Sequence, residues 1–435
     1  MNPLVLLRLL WLGRLGYLER LARLSPDGGP IRIGLKRGWM VNTAELIEEV
    51  LVTRPDEFVK SPALRIYSRP LLGNGLLTNE GASHMRQRRL VAPAFAHQRV
   101  SRYAEVMSRF ARDTFANWPD HAVIPSHREM TRLTLGIVGR TLFDADLLSD
   151  ADEIGKNITE LIHFATRQAR SLRPTQTETE NRRNRSALAA VERLNRAIYG
   201  MIEQRRAMNI DKGDLMSMLL LARDEDGNAL SNEQVRDEAM TLFVAGHETT
   251  ANASVWSLYL LAHHPEIQRD LQQQVAATVG SRPIAIEDLP RLPLAMQVFK
   301  ESMRLFPPAY IVVREALHDL QLSNGLHVRQ GDLLALCEYT MHRNPRYFPD
   351  PLRFDPTRFS PENEPRINRY AYFPFGAGKR ICIGNQFALM EGQIILATAM
   401  QHVTVSPASS RRLRGDPLLT LRPKGEAKLR VTRMR

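Results

Sequence analysis

The most constraining feature of the sequence is the stretch "FPFGAGKRICIG" at residues 373–384, because it surrounds a cysteine with glycines. Cys382 is one of only two cysteines in 435 residues. Gly376 and Gly378 permit a tight turn with positive φ or a close backbone approach. A run with helical periodicity follows, so the sulfur is predicted to lie near a helix N-terminus, where the dipole and the N–H groups stabilise a thiolate. A buried structural cysteine needs none of these neighbours, and the pattern predicts a sulfur that is presented to a ligand.

Other residues of this stretch favour a flat, metal-containing ligand with an anionic edge. Gly384 would let a planar group approach the backbone, and Arg380 would reach an anionic substituent. Backbone donors around the sulfur would tune a bound metal. The alternative is a buried cysteine in a glycine-rich turn, which is the usual interpretation of an isolated cysteine. The ten-residue pattern from Phe375 to Gly384 favours the ligand instead.

This stretch resembles the haem-binding loop of the cytochrome P450 superfamily, the haem-thiolate monooxygenases. The resemblance extends over about residues 30–430, because four other patterns agree with the family in order. It implies haem b as the cofactor and Cys382 as the axial ligand of its iron. A single thiolate ligand is the arrangement that favours O–O bond cleavage. The other haem-binding residues that the resemblance implies in this loop are Phe375, Gly376, Arg380 and Gly384.

The segment "VAGHETTANASVWSLYLLAHHP" resembles the long central helix of the same family, which activates oxygen. Ala245 and Thr249 lie at i and i+4 on one side of the helix, and Gly246 is expected to leave room beside the haem. The resemblance implies that Glu248 and Thr249 deliver the protons that the reduction of O2 consumes in an otherwise dry site. The zinc-protease signature H-E-x-x-H is excluded, since its second histidine position is occupied by Ala251.

An E-x-x-R pair in "KESMRL" resembles the family's structural ion-pair network. Glu301 and Arg304 share one helix face at i and i+3, and Arg358 in "DPTRF" resembles the third member. A carboxylate between two guanidiniums would fasten this helix to the irregular segment before the haem loop. The expected role of these three residues is structural.

Cationic side chains are expected to bind the haem propionates. "SHMRQRR" supplies His84 and Arg88 at i and i+4, and "VVREA" supplies Arg314. Together with Arg380 they match the positions at which the family binds the haem edge. The alternative for each arginine alone is an ordinary surface charge. The second cysteine, Cys337, lies in an apolar run and is predicted to be a small buried side chain.

Hydrophobic periodicity predicts the organisation of the chain. Helical patterns dominate residues 43–307, after a hairpin predicted in "GPIRIGLKRGWMVN", and short strand-like runs begin at Tyr310. Residues 345–375 are rich in proline and irregular. The Arg-rich stretch around residues 167–185 is predicted to be a solvated loop between helices, with a mobile lid as the alternative. These segments predict one α+β domain over residues 1–435, mainly helical with a minor β-rich region.

The leucine-rich N-terminus is predicted to be an amphipathic helix over residues 1–24 that packs on the rest of the protein. Arg8, Arg14 and Glu19 are among the charges that interrupt it, so no uncharged run long enough to span a bilayer exists. A helix lying on a membrane surface is the alternative. With no signal peptide and no disulfide framework, the sequence indicates a soluble, cytoplasmic protein without stable membrane insertion.

The formal net charge of +12 predicts an anionic partner. No nucleic-acid-binding motif is present and the charge is spread along the chain, so nucleic acid is not expected. No dinucleotide motif or attached redox module is found, and electrons are expected from an acidic ferredoxin or flavodoxin with its NAD(P)H reductase. The basic residues expected to bind this partner are Arg86, Arg88, Arg89, Arg99, Arg102 and Lys379.

The segments that line the substrate pocket in the family correspond here to parts of residues 62–82, 158–205, 239–249 and 309–313, with the turn near "DPLLTL". They carry few charges, so the substrate is predicted to be an apolar small molecule. The sequence looks most like bacterial members that act on terpenoids, carotenoids or fatty acids. The apolar pocket residues are Leu71, Leu72, Leu76, Leu77, Phe243, Val244, Ala245, Ile311 and Val312.

The resemblance implies a monooxygenase that uses O2 to hydroxylate or epoxidise this apolar substrate. A peroxygenase or isomerase that bypasses O2 is one alternative, although such members usually depart from the acid–threonine pair that Glu248 and Thr249 preserve. A haem sensor or carrier without enzymatic activity is another. A sensor would have no need of proton delivery, and the sequence therefore favours the monooxygenase.

Overall fold

The computed structural model describes residues 3–33, 36–146, 148, 150–170, 182–208, 210–223 and 227–434, and it confirms a mainly helical α+β fold. The helices follow the periodicity of the sequence. They are α1 (Pro3–Leu24), α2 (Ala44–Glu48), α3 (Arg69–Leu72), α4 (Gly81–Val91), α5 (His97–Arg102), α6 (Ala104–Ala116), α7 (Ser126–Leu142), α8 (Ala151–Arg170), α9 (Arg182–Met208), α10 (Leu215–Leu221), α11 (Asn232–His263), α12 (Pro265–Thr278), α13 (Pro293–Leu305), α14 (Glu338–Met341) and α15 (Asn385–His402).

The strands are short and fall mostly at the two ends of the chain. Apart from β3, β4, β10, β11 and β12, they occupy the segments that the sequence marks as a hairpin or as strand-like. They are β1 (Gly28–Ile33), β2 (Lys36–Val41), β3 (Phe58–Lys60), β4 (Val123–Pro125), β5 (Val312–Ala316), β6 (Leu320–Gln321), β7 (His327–Val328), β8 (Leu333–Leu336), β9 (Val403–Pro407), β10 (Gly415–Pro417), β11 (Leu421–Pro423) and β12 (Lys428–Arg433).

The described chain divides into two compact units. The first, called unit 1 below, comprises Met1–Ser61, Lys300–Cys382 and Arg414–Lys424. It contains a five-stranded sheet in the order β1-β2-β8-β5-β3, in which only the β2–β8 pair is parallel. Its core packs one face of this sheet against α2 and the segment before the haem loop, with Leu51, Leu336 and Phe373 almost fully buried.

The second, unit 2, comprises Pro62–Phe299, Ile383–Leu413 and Gly425–Arg435. Its central element is α11, whose 32 residues are apolar or small on most faces because other helices surround it. A capping box begins α11: the Ser231 hydroxyl accepts from the Gln234 N–H, and the Gln234 side chain accepts from the Ser231 N–H. Trp256 of α11 is fully buried. A three-stranded sheet, β4-β12-β9, completes this unit.

The N-terminal helix packs within unit 1, as the sequence predicts. Leu18 is buried in a cluster with Tyr310 and Leu421, and the Arg14 guanidinium donates to the Tyr310 hydroxyl at 2.9 Å. The helix is interrupted at Gly13, where φ is 68°. Within the described residues, no helix combines the length and the apolar content that crossing a bilayer requires.

The Arg-rich stretch around residues 167–185, predicted to be a loop, is helical at both of its ends. α8 continues to Arg170 and α9 begins at Arg182, while residues 171–181 lie outside the described part. The prediction was wrong at both edges because arginine and glutamine are good helix formers, and a charged composition alone does not end a helix. Residues 345–375 are irregular as predicted, with single turns of 3-10 helix at Pro356–Phe359 and Glu364–Arg366.

The close packing of α15 in unit 2 gives a direct test of the fold. A Cβ at Gly392 would overlap the buried Phe299 ring, whereas a Cβ at Gly200 in α9 would meet no atom within 4 Å. We expect Gly392→Ala to destabilise the protein by about 1–3 kcal/mol through overpacking. Gly200→Ala should be neutral or stabilising, because alanine is the better helix former by about 1 kcal/mol. Thermal unfolding of both variants measures the difference, and an equally stable Gly392→Ala would contradict this packing.

Candidate active site

The cysteine loop of unit 1 has the backbone conformation that its glycines predict. Gly376 and Gly378 have φ values of 69° and 66°, and a Cβ at Gly378 would overlap the Leu51 carbonyl oxygen. The Cys382 N–H donates to the Phe375 carbonyl at 2.9 Å, which closes the loop. α15 begins three residues after Cys382. The loop therefore presents the cysteine just before a helix N-terminus.

The two cysteines differ in a way that fits a single thiolate ligand. Cys382 is exposed, whereas Cys337 is fully buried. Burial raises the pKa of Cys337 to about 11, and its Sγ lies 3.4 Å from the Tyr310 carbonyl oxygen. Cys337 is thus a small buried side chain, as predicted. An accessible sulfur in a glycine-rich turn, close in sequence to Arg380, is a donor set that suits haem.

Glu301, Arg304 and Arg358 come together in unit 1. Arg304 binds the Glu301 carboxylate through two hydrogen bonds of 2.7 and 2.8 Å, and both side chains are fully buried. The Arg358 Nε lies 3.6 Å from the same carboxylate. Arg304 also donates to the carbonyl oxygens of His342 and Pro351. Although burial raises the pKa of Glu301, these contacts fasten α13 to the irregular segment, as the sequence predicts.

Arg314 lies in β5, where it stands opposite Leu334 of β8. Glu338, four residues beyond Leu334 at the start of α14, is fully buried. Burial raises the pKa of Glu338 well above its ordinary value, and the positive charge of Arg314 acts in the opposite direction. The sequence analysis missed this carboxyl group, because an acidic residue after an apolar strand gives no signal of burial.

In α11 the predicted proton-delivery residues have defined partners. The Thr249 hydroxyl donates to the Ala245 carbonyl one turn earlier, at 2.8 Å. Glu248 is buried, and the Asn252 side-chain amide donates to its carboxylate at 2.8 Å. The sequence analysis did not identify Asn252, although its i+4 spacing from Glu248 was visible. These contacts hold a carboxyl group and a hydroxyl group at successive positions of one buried helix.

Gly246 has a packing role that the sequence did not reveal. A Cβ at this position would lie 3.1 Å from a methyl group of Val138 in α7. The Thr134 hydroxyl of the same helix donates to the His247 carbonyl at 3.1 Å. The small residue therefore also lets α7 approach the centre of α11. Its predicted place beside the haem stays a prediction.

The predicted propionate-binding pair of α4 occupies one helix face. His84 is buried and Arg88 is partly buried, one turn further along α4. Arg380 ends a single 3-10 turn at Gly378–Arg380 and is also partly buried. Their role at the haem edge remains a prediction, as does that of Arg314.

Comparisons with known proteins identify the class of this site. The family model for cytochrome P450 matches residues 5–430. The chain is 35% identical to cyclooctatin synthase of Streptomyces melanosporofaciens, over 93% of this chain and 89% of that protein. It is 31% identical to pentalenene oxygenase of Streptomyces avermitilis, over 92% and 89% of the two chains. The crystal structure of the cytochrome P450DA haem domain superposes with a TM-score of 0.87 at 26% identity, covering 98% of this chain and 95% of that one.

The chain therefore belongs to the cytochrome P450 family. It is a P450 monooxygenase, an oxidoreductase that incorporates oxygen, and haem is its cofactor. The resemblance found in the cysteine loop and the central helix is confirmed over nearly the whole sequence.

A second buried carboxyl group escaped the sequence analysis and gives a pH prediction. Burial raises the pKa of Glu391 in α15 to about 8, from an ordinary value of 4.5. Between these values the folded protein keeps a proton that the unfolded chain has lost, so this group makes stability fall as pH rises. Each pH unit in the window is worth about 1.4 kcal/mol. Glu391→Gln should remove this slope, and its advantage over the wild type should grow from pH 5 to pH 8.

Unfolding free energies measured at several pH values test this expectation. The matched control is Glu203→Gln in α9, where the glutamate is exposed. A Glu391→Gln variant whose pH dependence matches that of the wild type would show that this carboxyl group titrates normally.

Proposed function

We propose that this protein is a haem b monooxygenase that inserts one atom of O2 into an apolar small molecule, with terpenoids as the first substrate class. The observation that carries the proposal is that one chain contains both an exposed cysteine in a glycine-rich loop and, in α11, the buried Glu248 followed by the partly buried Thr249. Relatives that are 31–35% identical include a pentalenene oxygenase and a cyclooctatin synthase, which favours terpenoids over fatty acids and carotenoids.

The proposed division of labour follows from the residues. Haem held by Cys382 would supply the metal at which O2 is bound and reduced. Glu248 would hold the proton at its carboxyl group, oriented by the Asn252 amide, and Thr249 would pass it on through its hydroxyl. His84, Arg88, Arg314 and Arg380 would bind the propionates. The single catalytic domain over residues 1–435 and the cytoplasmic location remain part of this proposal.

An apolar substrate is supported by the apolar side chains of unit 2 that the sequence assigns to the pocket. Leu71, Leu72 and Leu76 are buried, and so are Phe243 and Val244 of α11. Such a surface gains free energy by excluding water from an apolar ligand. A panel of terpenoids, carotenoids and fatty acids should therefore produce a shift from low to high spin with at least one apolar member. Incorporation of label from 18O2 into the product then tests the reaction itself. A response confined to charged, hydrophilic compounds would overturn the proposal.

The Thr249 hydroxyl can be tested with an isosteric substitution. Thr249→Val keeps the shape of the side chain and removes the proton that is donated to Ala245. We expect the product formed per O2 consumed to fall about tenfold or more, since a positioned proton donor is worth about 10²–10⁴ in rate. Thr131→Val is the matched control, because Thr131 donates to the His127 carbonyl in the same way within α7. Equal coupling in the two variants would contradict the assigned role of Thr249.

We further propose that an acidic ferredoxin or flavodoxin, itself reduced by an NAD(P)H reductase, docks through arginines of α4 and α5. Arg89 and Arg102 are exposed, Arg86, Arg88 and Arg99 are partly buried, and all five belong to unit 2. The expected contribution of Lys379 is smaller than the sequence suggested, because its Nζ lies 2.6 Å from a carboxylate oxygen of Asp56. The negative charge of Asp56 partly cancels the positive charge that Lys379 would present to an acidic partner.

Charge reversal tests this docking proposal. The double variant Arg89→Glu, Arg102→Glu should slow electron transfer from an acidic ferredoxin by about tenfold at low salt and weaken its salt dependence. Arg269→Glu, which reverses an exposed charge in α12, is the control. Stopped-flow reduction measured against ionic strength gives the rates. If the α12 control slows transfer as much as the double variant, the docking surface lies elsewhere.

A further inference from the structure

Three successive charged residues are buried in the first half of α11, about two helical turns before Ala245. Arg236, Asp237 and Glu238 have relative exposures of 6%, 5% and 0%. Successive residues of a helix point in directions about 100° apart, so the three side chains reach different neighbours. Burying charges is costly unless each has partners. The hydrogen-bond partners of these three side chains therefore indicate which parts of the fold they position.

The two acidic residues bind the backbone of the segment at residues 73–76, which follows α3. The Asp237 carboxylate accepts from the Asn74 N–H at 2.7 Å, and the Glu238 carboxylate accepts from the Leu76 N–H at 3.0 Å. Hydrogen bonds from backbone N–H groups to carboxylates are among the stronger ones in proteins. The segment is thus fastened to α11 at two alternate residues.

Two glycines let this segment lie directly on the helix. Gly73 has a φ of 58°, and a Cβ there would overlap the Asp237 carboxylate. A Cβ at Gly75 would overlap the Thr241 hydroxyl and lie 2.6 Å from the Asp237 carbonyl oxygen. Glycine is the residue that permits both this conformation and this approach. The contact therefore depends both on the glycines of the segment and on the acidic side chains of the helix.

Arg236 extends the same contact to a third element. Its guanidinium donates to the Asp237 carboxylate at 2.8 Å, to the Leu71 carbonyl at 3.0 Å and to the Asn195 side chain of α9 at 2.6 Å. The basic residue thus ties Asp237 to α9 and to the end of α3. All of these groups belong to unit 2.

We propose that Arg236, Asp237 and Glu238 form a positioning clamp that fixes residues 71–76 and α9 against α11 and thereby sets the substrate selectivity of the enzyme. The clamp acts through the apolar side chains of the fastened segment and does not itself touch the substrate. The inference rests on the proposed function in one respect, that an apolar ligand binds beside this part of α11. Because α11 also carries Glu248 and Thr249, the clamp fixes the apolar wall relative to the proton-delivery residues.

Hydrogen exchange tests the clamp without any ligand. In Glu238→Ala the Leu76 amide loses its acceptor, and its exchange should accelerate at least tenfold in the haem-loaded protein. Glu238→Gln keeps an acceptor oxygen and should largely restore protection. Glu233→Gln is the matched control, since Glu233 lies on the same helix and is exposed. Unchanged exchange of the Leu76 amide in Glu238→Ala would overturn the clamp.

Selectivity is measured with two nitrogen ligands of haem iron, imidazole and 4-phenylimidazole, which differ by one apolar ring. In Glu238→Ala the ratio of the affinity for 4-phenylimidazole to that for imidazole should fall about tenfold. The affinity for imidazole itself should stay within twofold of the wild-type value. Glu238→Gln and Glu233→Gln should keep the wild-type preference. If the three residues had a purely structural role, the substitution would weaken the binding of both ligands to the same extent. That result would overturn the clamp as a determinant of selectivity.

A second variant covers the case in which Glu238→Ala does not fold. Gly75→Ala keeps all three charges and pushes the segment away from Thr241, so it should lose the same preference. Gly200→Ala is its control. If the wild-type protein gave no spectral shift with either ligand, the proposed haem chemistry would fail, and exchange of the Leu76 amide would still test the clamp separately.

Discussion

The presentation of one sulfur atom is the constraint on which the rest of this structure depends. In the loop before α15, Cys382 is exposed, and Gly378 lies against the Leu51 carbonyl in a conformation that other residues rarely adopt. The hydrogen bond from Cys382 to Phe375 closes that loop. A cysteine presented in this way suits the single thiolate ligand that favours O–O cleavage at haem. The other thiol, that of Cys337, is fully enclosed by protein in unit 1.

Within each unit, buried charges hold an irregular segment in place. In unit 1, Arg304 joins the Glu301 carboxylate to backbone carbonyls of the segment before the cysteine loop. In unit 2, the carboxylates of Asp237 and Glu238 accept hydrogen bonds from backbone N–H groups of residues 74 and 76. Irregular segments lack the repeating hydrogen bonds of helices and strands, so side chains must satisfy their polar backbone groups. The cost of burying these charges is offset by the charge-assisted hydrogen bonds that they form.

Local patterns in the sequence predicted the features that depend on near neighbours. The cysteine loop, the shared helix side of Ala245 and Thr249, and the pairing of Glu301 with Arg304 are all set by short spacings. The contact of Asp237 with Asn74 spans 163 residues, and no spacing rule encodes it. The packing of Gly246 against Val138 and the burial of Glu391 likewise arise from tertiary neighbours. Composition predicted a loop where α8 still continues and where α9 has already begun, because charged residues are also good helix formers.

The most direct test of the central claim is the absorption spectrum of the reduced, CO-bound protein. The wild type and Cys337→Ser should both give the Soret band of a thiolate-ligated haem. Cys337 is fully buried in the protein core, so its sulfur is not expected to bind the iron. Cys382→Ser should lose that band, since a serine hydroxyl does not replace a thiolate. A Cys382→Ser variant that retains the thiolate band would contradict the assignment of this sulfur to the iron.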